Sequence, residues 1–227
     1  MPPKDPNALH IAIIPDGNRR WAKARAWHPW QGHEKAVENF RTITDWCRAD
    51  PRIAVLTVWC FSTENWKRDP KEVAKLMTIF ENYLQKERST FHEKKTRLIH
   101  SGRKDRIPPS LASLITDVEA ETKLYEDFIL DLAVDYGGKD EVIRGLAKAK
   151  NTVSSEQDLR ALLDHPELPD LDLIIRTSGE QRTSNFFLWQ SAYAEWVFLD
   201  KLFPDFTTQD LRTAVDAFAK RARRFGG

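Results

Sequence analysis

The sequence predicts a single α/β domain with a mostly parallel central sheet flanked by helices. Three observations lead there. Strand-like apolar runs alternate with stretches of helical period along the chain. Two of those runs end abruptly in polar clusters, as parallel strands do where they feed loops at their carboxyl ends. No repeat, low-complexity tract or linker interrupts the alternation, so residues 1–227 are taken as one domain with a sizeable core.

The elements follow in order. Residues 10–15 read as a buried strand and 34–48 as a helix. Residues 53–61, IAVLTVWCF, are rich in β-branched and aromatic side chains and form a second strand. Asp69 is placed to cap a helix whose first turn holds Pro70. Val73, Leu76, Met77, Phe80, Tyr83 and Leu84 then share one helical face. Residues 96–100 are a weaker strand, and Pro108 and Pro109 open a helix through about residue 124. Residues 128–134 form a strand ended by Asp135, Tyr136, Gly137 and Gly138. A helix over 140–150, a loop over 164–172, a strand over 171–176 and a last helix over 208–223 complete the pattern.

Composition excludes some functions. Acidic and basic residues nearly cancel, 34 against 35, so no global field draws the chain to nucleic acid and any anion site is local. Cys47 and Cys60 are the only cysteines, too few for a disulfide framework and without metal-ligand neighbours. A reducing, cytoplasmic setting is expected. Residues 1–10 lack the apolar core of a signal peptide, and no apolar run has the length of a membrane span. Peripheral contact with a membrane surface is compatible with this. Eight Trp and twelve Phe supply a large apolar payload, suited to a big core or a greasy pocket.

The two polar clusters carry the chemistry. The first is Asp16, Gly17, Asn18, Arg19 and Arg20; the second is Arg176, Thr177, Ser178, Gly179, Glu180, Arg182, Ser184 and Asn185. Small residues, hydroxyls and arginines after a strand are the ingredients of a phosphate site, because guanidinium groups donate forked hydrogen bonds to phosphate oxygens. Asp16 and Glu195 supply hard oxygen ligands of the kind Mg²⁺ takes beside a phosphorylated substrate. A third cluster, Ser62, Thr63, Glu64 and Asn65, ends the second strand. Parallel strands would gather all three at one rim.

Five segments in order, HIAIIPDGNRRWAK, Gly32-His33, FSTENWKR, DYGGKDE and RTSGEQRTSNFFLWQSAYAE, resemble the cis-prenyltransferases, the undecaprenyl diphosphate synthase family. Each motif alone is weak, whereas the ordered set spans almost the whole chain. The resemblance implies a single α/β domain with an elongated apolar tunnel, acting as a homodimer. It implies Mg²⁺-dependent condensation of isopentenyl diphosphate onto an allylic diphosphate, with a Z double bond formed and a medium- to long-chain product.

It also implies roles. Asp16 engages Mg²⁺ and diphosphate, and Gly17, Asn18, Arg19, Arg20 and Trp21 cradle the allylic diphosphate, with His33 nearby. Ser62, Thr63 and Glu64 belong to a substrate loop. Asn65 is its proton-handling residue, and Trp66 and Arg68 are further contacts. Arg176, Arg182, Thr183 and Ser184 match the isopentenyl diphosphate site. Glu195 matches a metal ligand given by the partner subunit, and Arg224 and Gly226 match an element that reaches across the dimer.

Some positions depart from the family pattern. Arg19 stands where Gly is common, Ala26 and Ala36 replace frequent glycines, Pro15 replaces a frequent Met, and Pro29 stands where many members carry a diphosphate-binding Arg. His28 or Arg25 is the expected substitute for that cation. Three other readings are weighed: a phosphatase of the haloacid dehalogenase type, a non-catalytic prenyltransferase subunit, and a short-chain synthase. The phosphatase chemistry wants a second Asp where Asn18 stands. A degenerate subunit would have lost Asp16, Asn65 or Glu195, all present here. Cys60, small and on the strand that borders the tunnel in this family, favours chain growth.

Overall fold

The computed structural model describes residues 8–220. Six strands form one all-parallel sheet: β1 (Leu9–Ile14), β2 (Ile53–Ser62), β3 (Thr96–Ser101), β4 (Phe128–Tyr136), β5 (Leu173–Arg176) and β6 (Glu195–Phe198). Their order is β3-β4-β2-β1-β5-β6. The chain leaves β1 toward β2 on one side and later returns to pair β5 on the other. The topological switch point of the sheet therefore lies at β1, where α/β sheets open a crevice beyond the carboxyl ends.

The helices are α1 (Asn18–Lys23), α2 (Pro29–Ala49), α3 (Pro70–Glu93), α4 (Pro109–Thr122), α5 (Gly138–Lys148), α6 (Glu156–Arg160) and α7 (Thr208–Ala219). Every long element expected from the sequence is present. Asp69 caps α3 as predicted, its Oδ1 accepting from Lys71 N at 2.8 Å and Glu72 N at 3.3 Å. Two helices are longer than their apolar stripes. α2 begins at Pro29, behind a cap in which His28 N donates to Gln31 Oε1 at 2.8 Å. α3 runs on to Glu93. The short elements α1, α6, β6 and a 3-10 turn at Thr63–Lys67 were not expected; none is long enough to display a period.

One face of the sheet packs Ile11, Ile13, Leu56, Val58, Leu130 and Leu132 under α2, α3, α4 and α7. The other face, with Ala12, Ile14, Ala133 and Tyr136, is covered by Phe186 and Phe187. A buried polar chain crosses this second face. His10 Nδ1 donates to Pro169 O at 2.8 Å, and His10 Nε2 meets Thr57 Oγ1 at 2.8 Å. Thr57 Oγ1 lies 3.0 Å from Asp131 Oδ2, which also accepts from Ser101 Oγ at 3.0 Å. Thr57 has one hydrogen for two acceptors, so the chain closes only with one further proton on His10 or Asp131. Burial pushes His10 down to about 4 and Asp131 up to about 6, which favours the proton on the carboxyl.

Thr57→Val leaves both neighbours buried without their shared hydroxyl and is predicted to cost about 1–3 kcal/mol in urea unfolding. A loss below about 0.5 kcal/mol would mean the chain is not a structural tie between β1, β2 and β4.

Candidate active site

Beyond the carboxyl ends of β1, β2 and β5 lies an open cleft of about 960 Å³. Of the residues singled out in the sequence, Asp16, Gly17, Asn18, Arg19, Arg20, His33, Ser62, Glu64, Asn65, Arg68, Arg176, Arg182 and Ser184 line it. Residues from distant parts of the chain converge because the strands are parallel and end together.

β1 delivers Asp16 through a sharp turn. Gly17 follows at φ +100°, where a Cβ would sit 2.7 Å from Leu202 Cδ2 and 3.0 Å from Ser178 Cβ. Only glycine suits that backbone and that space. The Gly17 amide donates to Asp16 Oδ1 at 2.7 Å, and Arg176 Nη2 donates to Asp16 Oδ2 at 3.0 Å. The backbone of Asp16 is tied as well: its carbonyl accepts from Thr177 Oγ1 at 2.7 Å and from Phe203 N at 3.1 Å. The carboxylate is thus oriented while remaining one-third exposed to the cleft.

Arg176 is buried at the end of β5. Its Nη1 donates to Arg182 O at 2.5 Å and Ser184 Oγ at 2.7 Å. Its guanidinium braces Asp16 and the turn after β5, so its terminal nitrogens are already engaged. Arg182 is exposed and pairs with Glu180, which also faces Arg20 at 3.5 Å. Such exposed pairs are weak and leave both arginines available to an anion.

α1 and α2 pack closely because Gly32 has no side chain; a Cβ there would lie 2.1 Å from Asn18 O. His33 sits beside this contact. Asn18 Nδ2, a donor that also reaches Pro15 O at 3.0 Å, is 3.5 Å from His33 Nδ1. That nitrogen therefore accepts, and Nε2 carries the hydrogen. His33 Nε2 and Asn18 Oδ1 are buried with no partner among the described residues. Burial, reinforced by Arg68 and Arg19, pushes His33 down to about 4, so it is neutral near pH 7. Arg19 and Arg68 both lean on Glu72, at 3.5 and 3.6 Å.

The 3-10 turn presents Asn65. Ser62 N donates to Asn65 Oδ1 at 3.1 Å, so the amide oxygen is occupied and the Nδ2 donor is the group left for a ligand. Asn65 is thus suited to orient a substrate, not to act as a base. Burial pushes the Glu64 carboxyl up, yet hydrogen bonds from Asn185 and its own turn hold it below its ordinary value.

Other predicted residues lie elsewhere. Trp21 is buried outside the cleft lining, its Nε1 donating to Asp205 Oδ1 at 2.8 Å, with the Arg25 guanidinium 3.8 Å over its ring. Thr63 packs under Gly137, and Trp66 hydrogen-bonds Asp135 at 2.8 Å; neither lines the cleft, nor does Thr183. Glu195 opens β6 opposite Leu173, at the end of the sheet away from Asp16, so within one chain these two carboxylates do not meet. Among the described residues no group of three or more His, Cys, Asp or Glu forms a metal cage. Arg224 and Gly226 lie outside the described residues.

The expected replacements for the Pro29 cation are corrected. Arg25 stacks on Trp21 and reaches Asp205 at 3.8 Å, while His28 caps α2 and stacks on Trp30. The cleft cation that sequence reading missed is Lys23. Its signal was the spacing Arg19, Arg20, Lys23, which puts basic groups on one side of a single helical turn. Ala26, in place of a glycine, adopts φ +56°.

A second, apolar cavity of about 70 Å³ adjoins the cleft. Phe40, Phe80, Tyr83, Leu111 and Ile115 are among its walls, and it shares Pro15, Asn18, His33 and Cys60 with the polar cleft. Burial pushes the Cys60 thiol up to about 12, leaving it a neutral wall residue.

The comparisons agree with this architecture. The family model for putative undecaprenyl diphosphate synthases matches residues 14–226. The isoprenyl transferase of Treponema pallidum is 42% identical over 225 residues, covering 96% of this chain and 98% of its own. That of Helicobacter pylori strain J99 is 41% identical, covering 98% of each. Lavandulyl diphosphate synthase from Lavandula x intermedia, crystallised with dimethylallyl diphosphate, superposes with a TM-score of 0.90 at 32% identity, over 97% of this chain and 99% of its own. A probable undecaprenyl diphosphate synthase from Campylobacter jejuni gives 0.83 at 31% identity, over the same shares. With the fold, the site and the sequence in accord, the chain belongs to the undecaprenyl diphosphate synthase family of isoprenyl transferases.

Proposed function

We propose that the protein condenses isopentenyl diphosphate onto an allylic diphosphate with release of diphosphate, forming Z double bonds and a medium- to long-chain product. The observation that carries this reading is the junction of an arginine-rich polar cleft with an apolar cavity. An anionic head and a growing hydrocarbon tail need those two environments side by side.

Arg19, Arg20, Lys23 and Arg68 bind the allylic diphosphate, and Arg182 and Ser184 the second one. Guanidinium groups favour the charge that grows on the leaving diphosphate as the allylic C–O bond breaks. His33, neutral, offers its Nε2 hydrogen at the boundary of the two spaces. Trp59 and Phe61 keep water from the allylic cation. Asn65 donates from Nδ2 to orient the isopentenyl unit, whose double bond forms the new C–C bond. The proton lost in that step passes to a diphosphate oxygen.

Asp16 fits the Mg²⁺ expectation: its oriented carboxylate, one-third exposed to the cleft, would hold the ion together with oxygens of substrate phosphate and water. When bound, Mg²⁺ offsets diphosphate charge. Glu195 would join such a set only from a partner subunit. A homodimer is supported by the exposed apolar side chains Ile143 and Leu146 on α5, with Leu188 and Tyr193 near the β6 edge. Among the described residues no helix is long and apolar enough to cross a membrane.

A short product is the second reading, favoured by the likeness to lavandulyl diphosphate synthase. Mass analysis of the product made from isopentenyl and farnesyl diphosphates with Mg²⁺ separates the two. The prediction is a ladder of several added units, with kcat lowered at least roughly a hundredfold in Asp16→Ala. No diphosphate release, or turnover that survives in Asp16→Ala, would sink the reading.

The shared site has its own test. An Asp16→Ala chain mixed with a Glu195→Gln chain forms a mixed dimer with one intact site and one doubly damaged site. Random mixing should restore roughly a quarter of wild-type activity. Mixed dimers that form yet stay inactive would place Glu195 outside the partner's site.

A further inference from the structure

Resting on the reading above, we propose that Asp135 is a positioning residue for the reaction, holding the Thr63–Lys67 turn over the cleft through the indole of Trp66. Trp66 Nε1 donates to Asp135 Oδ1 at 2.8 Å, and Arg106 Nε donates to Asp135 Oδ2 at 2.8 Å, with its Nη2 on Oδ1. The carboxylate is fully buried at the end of β4, in the left-handed region at φ +52°. The chain packs tightly against the backbone of this residue. A Cβ on Gly102 would lie 2.4 Å from Val134 O and 2.9 Å from Asp135 O.

Arg106 alone would satisfy the charge of Asp135. The extra bond to Trp66 instead spans 69 residues of sequence and fastens the turn that carries Asn65. Phe61 meets the Trp66 ring edge-on at 5.1 Å and fixes its plane. Two further contacts complete the clamp. Asn185 Nδ2 donates to Glu64 Oε1 at 3.1 Å, and a Cβ on Gly137 would touch Thr63 Oγ1 at 2.6 Å. With Asn65 Oδ1 occupied by the backbone of Ser62, the direction of its Nδ2 donor depends on where this turn is held. Trp66 thus acts on substrate through the turn, and Asp135 acts through Trp66.

The test uses variants that respect the backbone. Asp135→Gly keeps the left-handed conformation and removes the acceptor; Asp135→Asn keeps both the conformation and one acceptor oxygen. Trp66→Phe keeps a ring against Phe61 and removes the donor. In Asp135→Gly and Trp66→Phe, kcat should fall roughly tenfold while the allylic KM moves less than about twofold. The double variant should be no worse than either single one, and Asp135→Asn should recover most of the loss. In ¹⁵N-labelled protein the Trp66 indole hydrogen, assigned through Trp66→Phe, should exchange slowly in wild type and Asp135→Asn and quickly in Asp135→Gly. A wild-type kcat in Asp135→Gly overturns the proposal, as does a double variant that multiplies the two single losses. Should Asp135→Gly not fold, a wild-type kcat in Trp66→Phe overturns it equally. Absence of condensation by the wild-type protein would sink the functional reading and the role in turnover together, whereas slow indole exchange would still identify the clamp.

Discussion

The ion pair between Arg176 and Asp16 is the constraint on which the site depends. Arg176 is 4% exposed, and a guanidinium so placed is stable only if its hydrogens find acceptors. Its two terminal nitrogens find them in three places, the Asp16 carboxylate, the Arg182 carbonyl and the Ser184 hydroxyl, while Nε is buried without a partner among the described residues. One buried charge thereby joins the end of β1 to the turn after β5, which are 160 residues apart in sequence. The arginines of the cleft then divide by environment. Arg176 orders the carboxylate and the turn, whereas exposed Arg182 and Arg20, both leaning on Glu180, are loosely held and free to move to an anion.

The second constraint is the boundary between polar and apolar space. Pro15, Asn18, His33 and Cys60 border both the cleft and the apolar cavity. None of them carries a formal charge there: His33 is held neutral by burial and nearby arginines, and the Cys60 thiol by burial. A charged group at this border would draw water toward the apolar space. Two unpartnered polar atoms remain there, His33 Nε2 and Asn18 Oδ1, and buried groups of that kind are costly unless a ligand or water completes them.

Much of this was legible in the sequence. Long apolar strands and the α3 stripe announce themselves by period, and Asp69 and Pro70 mark a helix start by chemistry that acts within one turn. The gathering of Asp16, Asn65 and Arg176 at one rim follows from parallel strands. What was hidden depends on tertiary contact. In a six-residue α1 the spacing of Arg19, Arg20 and Lys23 is the sole sign that Lys23 faces the cleft, and nothing local shows that Trp21, adjacent to the arginines, turns its indole to Asp205. Arg25 and His28 have the right chemistry near Pro29, but a ring stack and a helix cap claim them. The bond from Asp135 to Trp66 joins two motifs visible separately, and no spacing rule connects them.

The bracing role of Arg176 is open to direct measurement by a double-mutant cycle of urea unfolding with Asp16→Asn, Arg176→Gln and both changes together. A partly buried, hydrogen-bonded charge pair predicts a coupling on the order of 1–2 kcal/mol between the two sites. Additive losses, within about 0.5 kcal/mol, would contradict it and would return Arg176 to the role of a free anion ligand.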